Sequence, residues 1–208
     1  GSTNAQRQTF LSGNASLLAC RDLKQELFNR AAEVLNLPPD TLYFHQEVIA
    51  NKVNNEVVPL AQLGDHFRIE RTYTPPRTAP VQEGIASKYG APDFESIPTN
   101  YCYSYNTQVA VVEVDTRTGK VQVLTVISAQ DVGKALNRKV VEGQIHGGVM
   151  MGLGYALSEE FIYQDGINLT DTLRKCKIPL ADQAPDIIPI ILEIPHPTGP
   201  FGAKGMAE

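Results

Sequence analysis

The sequence predicts an α+β fold in which mixed or antiparallel sheets are layered with helices. Helical and strand patterns follow one another without a strict β-α-β rhythm, and the clearest strand pair is a hairpin, hence antiparallel. The 208 residues, 42% hydrophobic and 20% charged, have an ordinary globular composition, enough for one large domain or two small ones.

Residues 1–13 are polar and contain glycine, which predicts a loop. From Asn14 to Leu35, Cys20, Leu23, Leu27, Ala31 and Val34 recur every three or four positions. That is the apolar stripe of an amphipathic helix, with Ser12 or Asn14 as N-cap and Pro38-Pro39 as the stop. Leu42 to Ala50 and Glu56 to Val58 read as short strands around an Asn54-Asn55 turn. Residues 72–100 are irregular, with Thr74-Pro75-Pro76 and Tyr89-Gly90-Ala91-Pro92. Such an excursion is uncommon unless it covers a site or meets a partner.

Thr107 to Asp115 alternates and is β-branched, Thr116-Arg117-Thr118-Gly119 turns, and Lys120 to Ser128 returns with Val121, Val123 and Val126. The tyrosines at 101, 103 and 105 alternate just before it and read as a packed or substrate-covering surface. A helix is predicted from near Asn137 to Tyr163, carrying Gly143, Gly147, Gly148, Gly152 and Gly154. Each glycine costs roughly 1 kcal/mol against alanine in a helix interior, so another backbone or a ligand is expected close against this one. Ile187 to Ile194 is an apolar strand leading into the final loop. The chain thus divides into a first α+β half (1–71), the excursion (72–100) and a second α+β half (101–208).

A net charge of −5 weighs against nucleic acid, whose binders usually carry a basic face. No apolar run approaches the roughly 18–20 residues that cross a bilayer, so no membrane span is expected. Cys20, Cys102 and Cys176 form no Cys-x-x-Cys pair and read as reduced thiols, which fits a cytoplasmic protein.

The end of the chain carries most of the chemistry. Gly199-Pro200-Phe201-Gly202-Ala203-Lys204-Gly205-Met206-Ala207-Glu208 holds three glycines and a proline, which cannot be a helix or strand interior. Missing side chains let backbone N–H groups approach a ligand. A lysine and a carboxylate then stand four residues apart, a cradle followed by a candidate general base. On the residues alone, a glycine-rich turn with a solvated glutamate fits equally well. Upstream lies Asp131-Val132-Gly133-Lys134-Ala135-Leu136-Asn137, then Gly143-Gln144-Ile145-His146-Gly147-Gly148 and Gly152-Leu153-Gly154-Tyr155-Ala156-Leu157-Ser158-Glu159-Glu160. At the start is Ala5-Gln6-Arg7-Gln8-Thr9, followed by Gly13-Asn14-Ala15.

These three stretches, in this order, resemble the signatures of the molybdenum hydroxylases, the xanthine dehydrogenase and aldehyde oxidase family. His146 and Met151 stand where that family usually has glutamate and glutamine; His146 is assigned no role. The resemblance implies that Glu208 is the base beside the metal and that Gln144 packs against the cofactor. It further implies that backbone at Ala5 sits near the molybdenum, with Gln6, Arg7 and Gln8 following toward the cofactor. Lys204 and Gly205 are carried over as cofactor-binding positions, the role of Lys204 left open between phosphate pairing and solvation. An amide both donates and accepts, which suits Gln144 to a pterin edge; packing on a glycine-rich face is its other reading.

The implied cofactor is molybdopterin with molybdenum, in the cytosine dinucleotide form. Fe–S clusters and FAD are expected on partner subunits or domains: a 2Fe–2S subunit, an FAD subunit and the N-terminal portion of the same Mo-binding subunit. The implied function is hydroxylation of a purine or other N-heterocycle, as in purine catabolism. An aldehyde or carbon monoxide oxidoreductase of the same superfamily is the alternative. On this resemblance the chain reads as the C-terminal portion of a larger subunit; a non-catalytic scaffold fragment when isolated is the further alternative.

Overall fold

The computed structural model describes residues 7–64, 66–78 and 100–206. Two compact units emerge, Leu11–Pro76 and a larger one of Gly1–Phe10 with Arg77–Glu208. The fold is α+β, as the sequence predicts.

Most of the smaller unit is α1 (Arg7–Leu35, its first residues belonging to the larger unit) and an antiparallel sheet of β1 (Leu42–His45), β2 (Val48–Asn51) and β3 (Val57–Pro59). The helix starts earlier than expected, so Ser12 and Asn14 lie inside it rather than capping it. Its buried face keeps Ala31 and, partly buried, Leu27 of the predicted stripe but turns toward Phe28 and Ala32. Phe28, Ala31 and Ala32 pack with Leu42, Ile49, Val58 and Leu63, while Cys20 and Val34 are exposed. The large aromatic decides the rotation, because burying one such ring is worth about 2–3 kcal/mol, more than a cysteine and a valine at the edge of the stripe. What reads as one run from Leu42 to Ala50 is two strands, folded at Gln46, whose φ of +53° makes the turn. Asn51 is buried at the β2–β3 turn and its Oδ1 accepts from the Val53 amide at 2.6 Å.

The larger unit is built on β4 (Tyr105–Val114), β5 (Val121–Asp131) and, near the end of the chain, β8 (Asp186–Leu192). The sheet is mixed: β4 runs antiparallel to β5, and β8 runs parallel to it. A bulge between Val111 and Val112 shifts the register. The hairpin turn is held by the Asp115 carboxylate, which accepts from the Arg117 amide at 2.9 Å, and by Gly119 at φ +74°.

One face of this sheet is covered by α2 (Arg138–Leu157), through Val126, Ile145 and Val149 with Val123, Val141, Leu153, Ile187, Ile191 and Met206 around them. The opposite face presents Val109, Val111, Ile188, Ile190 and Leu192, all exposed. Asn137 caps α2, its side chain accepting from the Val140 amide at 3.2 Å. The helix ends at Leu157 rather than near Tyr163, because the Asp165-Gly166 pair, with φ of +49° and +77°, turns a small hairpin of β6 (Tyr163–Gln164) and β7 (Ile167–Asn168). A single turn, α3 (Leu173–Cys176), follows before β8.

The glycines of α2 do not meet a neighbour as expected. Gly143, Gly147 and Gly152 have open space where a side chain would stand, whereas Gly154 is closely approached, by the Glu159 carboxylate. Among the described residues no helix is long and apolar enough to cross a membrane.

Candidate functional site

β5 and β8 run parallel, so their C-terminal ends lie side by side, and the segments that leave them meet. After β5 the chain turns through Asp131-Val132-Gly133, with Gly133 at φ +60°. After β8 it runs through His196 into the loop 199–205. The two segments are knit by backbone: Lys204 N to Val132 O at 2.8 Å, Lys134 N to Gly202 O at 3.0 Å, and a bridge of Gly133 with Ala203. A Cβ on Gly133 would stand 2.2 Å from Gly202 O, and one on Gly199 1.9 Å from Ala203 O, so both positions require glycine.

At this junction Lys204 Nζ lies 2.5 Å from Asp131 Oδ2, with side chains only 8% and 5% exposed. The other oxygen of Asp131 accepts from the amides of Gly133 at 3.0 Å and Ile194 at 3.3 Å. Burial pushes the Asp131 carboxyl up, but the Lys204 ammonium and these amides outweigh it and hold the group below the usual carboxylate range. Lys204 also stands 5.6 Å from the centre of the Tyr105 ring. The lysine that the sequence left between phosphate and solvent is therefore engaged inside the protein. Tyr101 is packed too, its ring 4.8 Å from that of Phe10.

Beside the junction is a cavity of about 320 Å³, at the small end of the roughly 300–1,000 Å³ typical of small-molecule sites. Its walls come from sequence-distant stretches: Thr9 at the start of α1, Val132 to Gln144 across the start of α2, and Ala203 to Met206. Gln144, Lys204 and Gly205, three of the predicted positions, are thus brought to one cavity. The Gln144 side chain makes no hydrogen bond among the described residues and is exposed. Arg7 and Gln8 lie next to Thr9 in the first turn of α1 and are exposed. Ala5, Gln6 and Glu208 lie outside the described residues. Lys134 does not reach across the cavity as a free charge, since it pairs with Glu193 at 3.0 Å, and Glu193 also accepts from the Ala135 amide at 2.9 Å.

Sequence reasoning passed over two residues here. Asp131 carries no role in the sequence reading; the available signal is the Asp-x-Gly spacing to Gly133 at the exit of a predicted strand. His196 follows β8, packs edge-on to Phe10 at 5.9 Å, and is held below the ordinary imidazole range by burial and then by the Lys204 charge.

Residues 1–185 match the molybdopterin cofactor-binding domain family. The chain belongs to this family. A protein named "Probable hypoxanthine oxidase XdhD" from Escherichia coli (strain K12) is 28% identical over 206 residues, 98% of this chain and 20% of its own length. The carbon monoxide dehydrogenase large chain of Hydrogenophaga pseudoflava is 28% identical over 207 residues, 99% of this chain and 24% of the relative. The crystal structure of quinoline 2-oxidoreductase from Pseudomonas putida 86 superimposes with a TM-score of 0.73 at 25% identity, covering 98% of this chain and 25% of that one. The molybdopterin-binding domain described here therefore spans about a fifth to a quarter of these relatives, which are oxidoreductases by name.

The cavity fits such a group in its donor set. It offers an uncommitted primary amide, backbone of a glycine loop, and apolar walls from Val132, Leu136, Val140 and Met206. Among the described residues it offers no unpaired lysine charge, since Lys134 and Lys204, which line it, are matched by carboxylates.

Proposed function

We propose that this domain forms one wall of the molybdenum site of a xanthine dehydrogenase-like hydroxylase that oxidises a purine or other N-heterocycle. One observation carries this reading: the stretches flanking Ala5, Gln144 and Glu208 in sequence line a single cavity. Gln144 holds the pterin edge, its amide donating and accepting without the cost of burying a charge. Backbone of the loop 203–206 would hold the metal end of the group, together with the Ala5–Gln8 stretch, in which the family resemblance assigns Ala5 to the molybdenum. When bound, the cofactor, in its cytosine dinucleotide form, supplies two-electron oxidation of a substrate carbon with water as the oxygen source.

Glu208 acts as the base, taking up the proton released as the water-derived oxygen adds to that carbon. Electrons leave to 2Fe–2S and FAD partner subunits, and the N-terminal portion of the same large subunit supplies the facing wall. A heterocyclic substrate is supported by relatives named for hypoxanthine, nicotine and quinoline. The second reading, an aldehyde or carbon monoxide oxidoreductase, is supported by the carbon monoxide dehydrogenase relative.

Replacing Glu208 with glutamine in the full-length protein is expected to lower turnover about 10²–10⁴-fold while molybdenum content is unchanged. Near-normal turnover would remove it from the chemistry. A panel of hypoxanthine, xanthine, nicotinate and aldehydes, assayed with the intact complex, decides between the substrate classes. Because the chain covers so small a share of its relatives, expressed alone it is expected to act as a non-catalytic scaffold. Molybdenum retained by this chain by itself would contradict the shared-cavity picture.

A further inference from the structure

The Asp131–Lys204 ion pair is almost wholly buried. An apolar pair of similar shape often holds a fold as well or better, so the charges call for another account. Their effect is placement. Asp131 ends β5 and both of its oxygens are engaged, by Lys204 and by the Gly133 and Ile194 amides, so the carboxylate cannot turn. Lys204 is held at two points, by its side chain on Asp131 and by its amide on Val132 O at 2.8 Å. The next residue is held as well, since the Ser104 hydroxyl donates to Gly205 O. Glu208 is three residues beyond Gly205 in the sequence, a tether of about 10 Å even when fully extended.

We infer that Asp131 and Lys204 are positioning residues, a latch that fixes the cavity-lining segment Ala203–Met206, to which Glu208 is joined two residues on in the sequence. Lys204 does not serve as a phosphate-binding charge. The inference rests on the role proposed for Glu208, and its test separates the two.

Lys204→Met and Asp131→Asn are made singly in the full-length protein, with Glu208→Gln alongside. Both latch variants are expected to lower kcat by the same factor, about 10–100-fold, with KM within about twofold and molybdenum content unchanged. Independently of activity, backbone amides of residues 199–206 are expected to exchange hydrogen at least about tenfold faster in both. Ser104→Ala, which frees Gly205 without stranding a buried charge, is expected to show a weaker version of both changes, and stands in if the charge variants do not fold. Loss of cofactor in Lys204→Met but not in Asp131→Asn would overturn the inference in favour of ligand binding. A lowered melting temperature with kcat and loop exchange unchanged would reduce the pair to a structural one. Near-normal turnover in Glu208→Gln would defeat the base assignment and the positioning role with it. A dead Glu208→Gln beside normal latch variants would defeat the latch alone.

Discussion

Glycine plays opposite parts in two regions of this domain. Around the C-terminal loop, Gly133, Gly199 and Gly202 mark points where the chain meets itself so closely that a Cβ would overlap a backbone or proline atom. In α2, Gly143, Gly147 and Gly152 face space that no described residue fills. The first set is explained within the chain: glycines let the β5 and β8 exits interlock. The second is not, and a helix that bears three such costs without a contact to offset them has its benefit outside these residues. Glycine count alone does not separate the cases; only the neighbour at each Cβ position does.

The comparison breaks most visibly at Gly133. Gly133→Ala combines a positive φ with overlap on Gly202 O, and is expected to destabilise the domain by about 2–5 kcal/mol, read from denaturant unfolding of the full-length protein. A loss below 1 kcal/mol would mean the junction gives way easily and the latch has little to grip.

A smaller effect is expected from acid. The Asp131 carboxyl lies below its ordinary value of 3.8, so the stability it contributes is fully present above that value and is lost as pH falls through the lower, folded one. Acid unfolding followed on the native protein and on Asp131→Asn should show a steeper loss for the native protein below pH 4, and parallel curves would contradict the pairing. The smallest change, and the sharpest test of the contrast, is Gly147→Ala. With open space at that Cβ it is expected to stabilise α2 by about 1 kcal/mol while weakening cofactor retention or subunit assembly. Stabilisation with no loss of either would show that the open face stays open.

Much of this was legible in the residues. The β4–β5 hairpin follows from alternation and the Thr118-Gly119 turn, and the C-terminal loop from its glycines. What escaped has local physical causes. Phe28 outbid Cys20 and Val34 for the buried side of α1, a competition that spacing does not rank. Gln46 makes a positive-φ turn without glycine or asparagine to announce it, and α2 stops at Leu157, short of the expected Tyr163, ahead of the Asp165-Gly166 turn. The Asp131–Lys204 pair joins positions 73 residues apart, brought together by β8 running parallel to β5, and no periodicity encodes that.

The uncovered side of the β4–β5–β8 sheet has a practical consequence. Both outer strands leave backbone groups unpaired among the described residues, and Val109, Val111, Ile188 and Ile190 form a continuous oily surface between them. An open strand edge beside such a surface is a template for adding a further strand from any neighbouring molecule. Produced without whatever normally shields that side, the polypeptide should precipitate through strand-to-strand stacking, and a lysine at position 109 or 188 should keep it in solution.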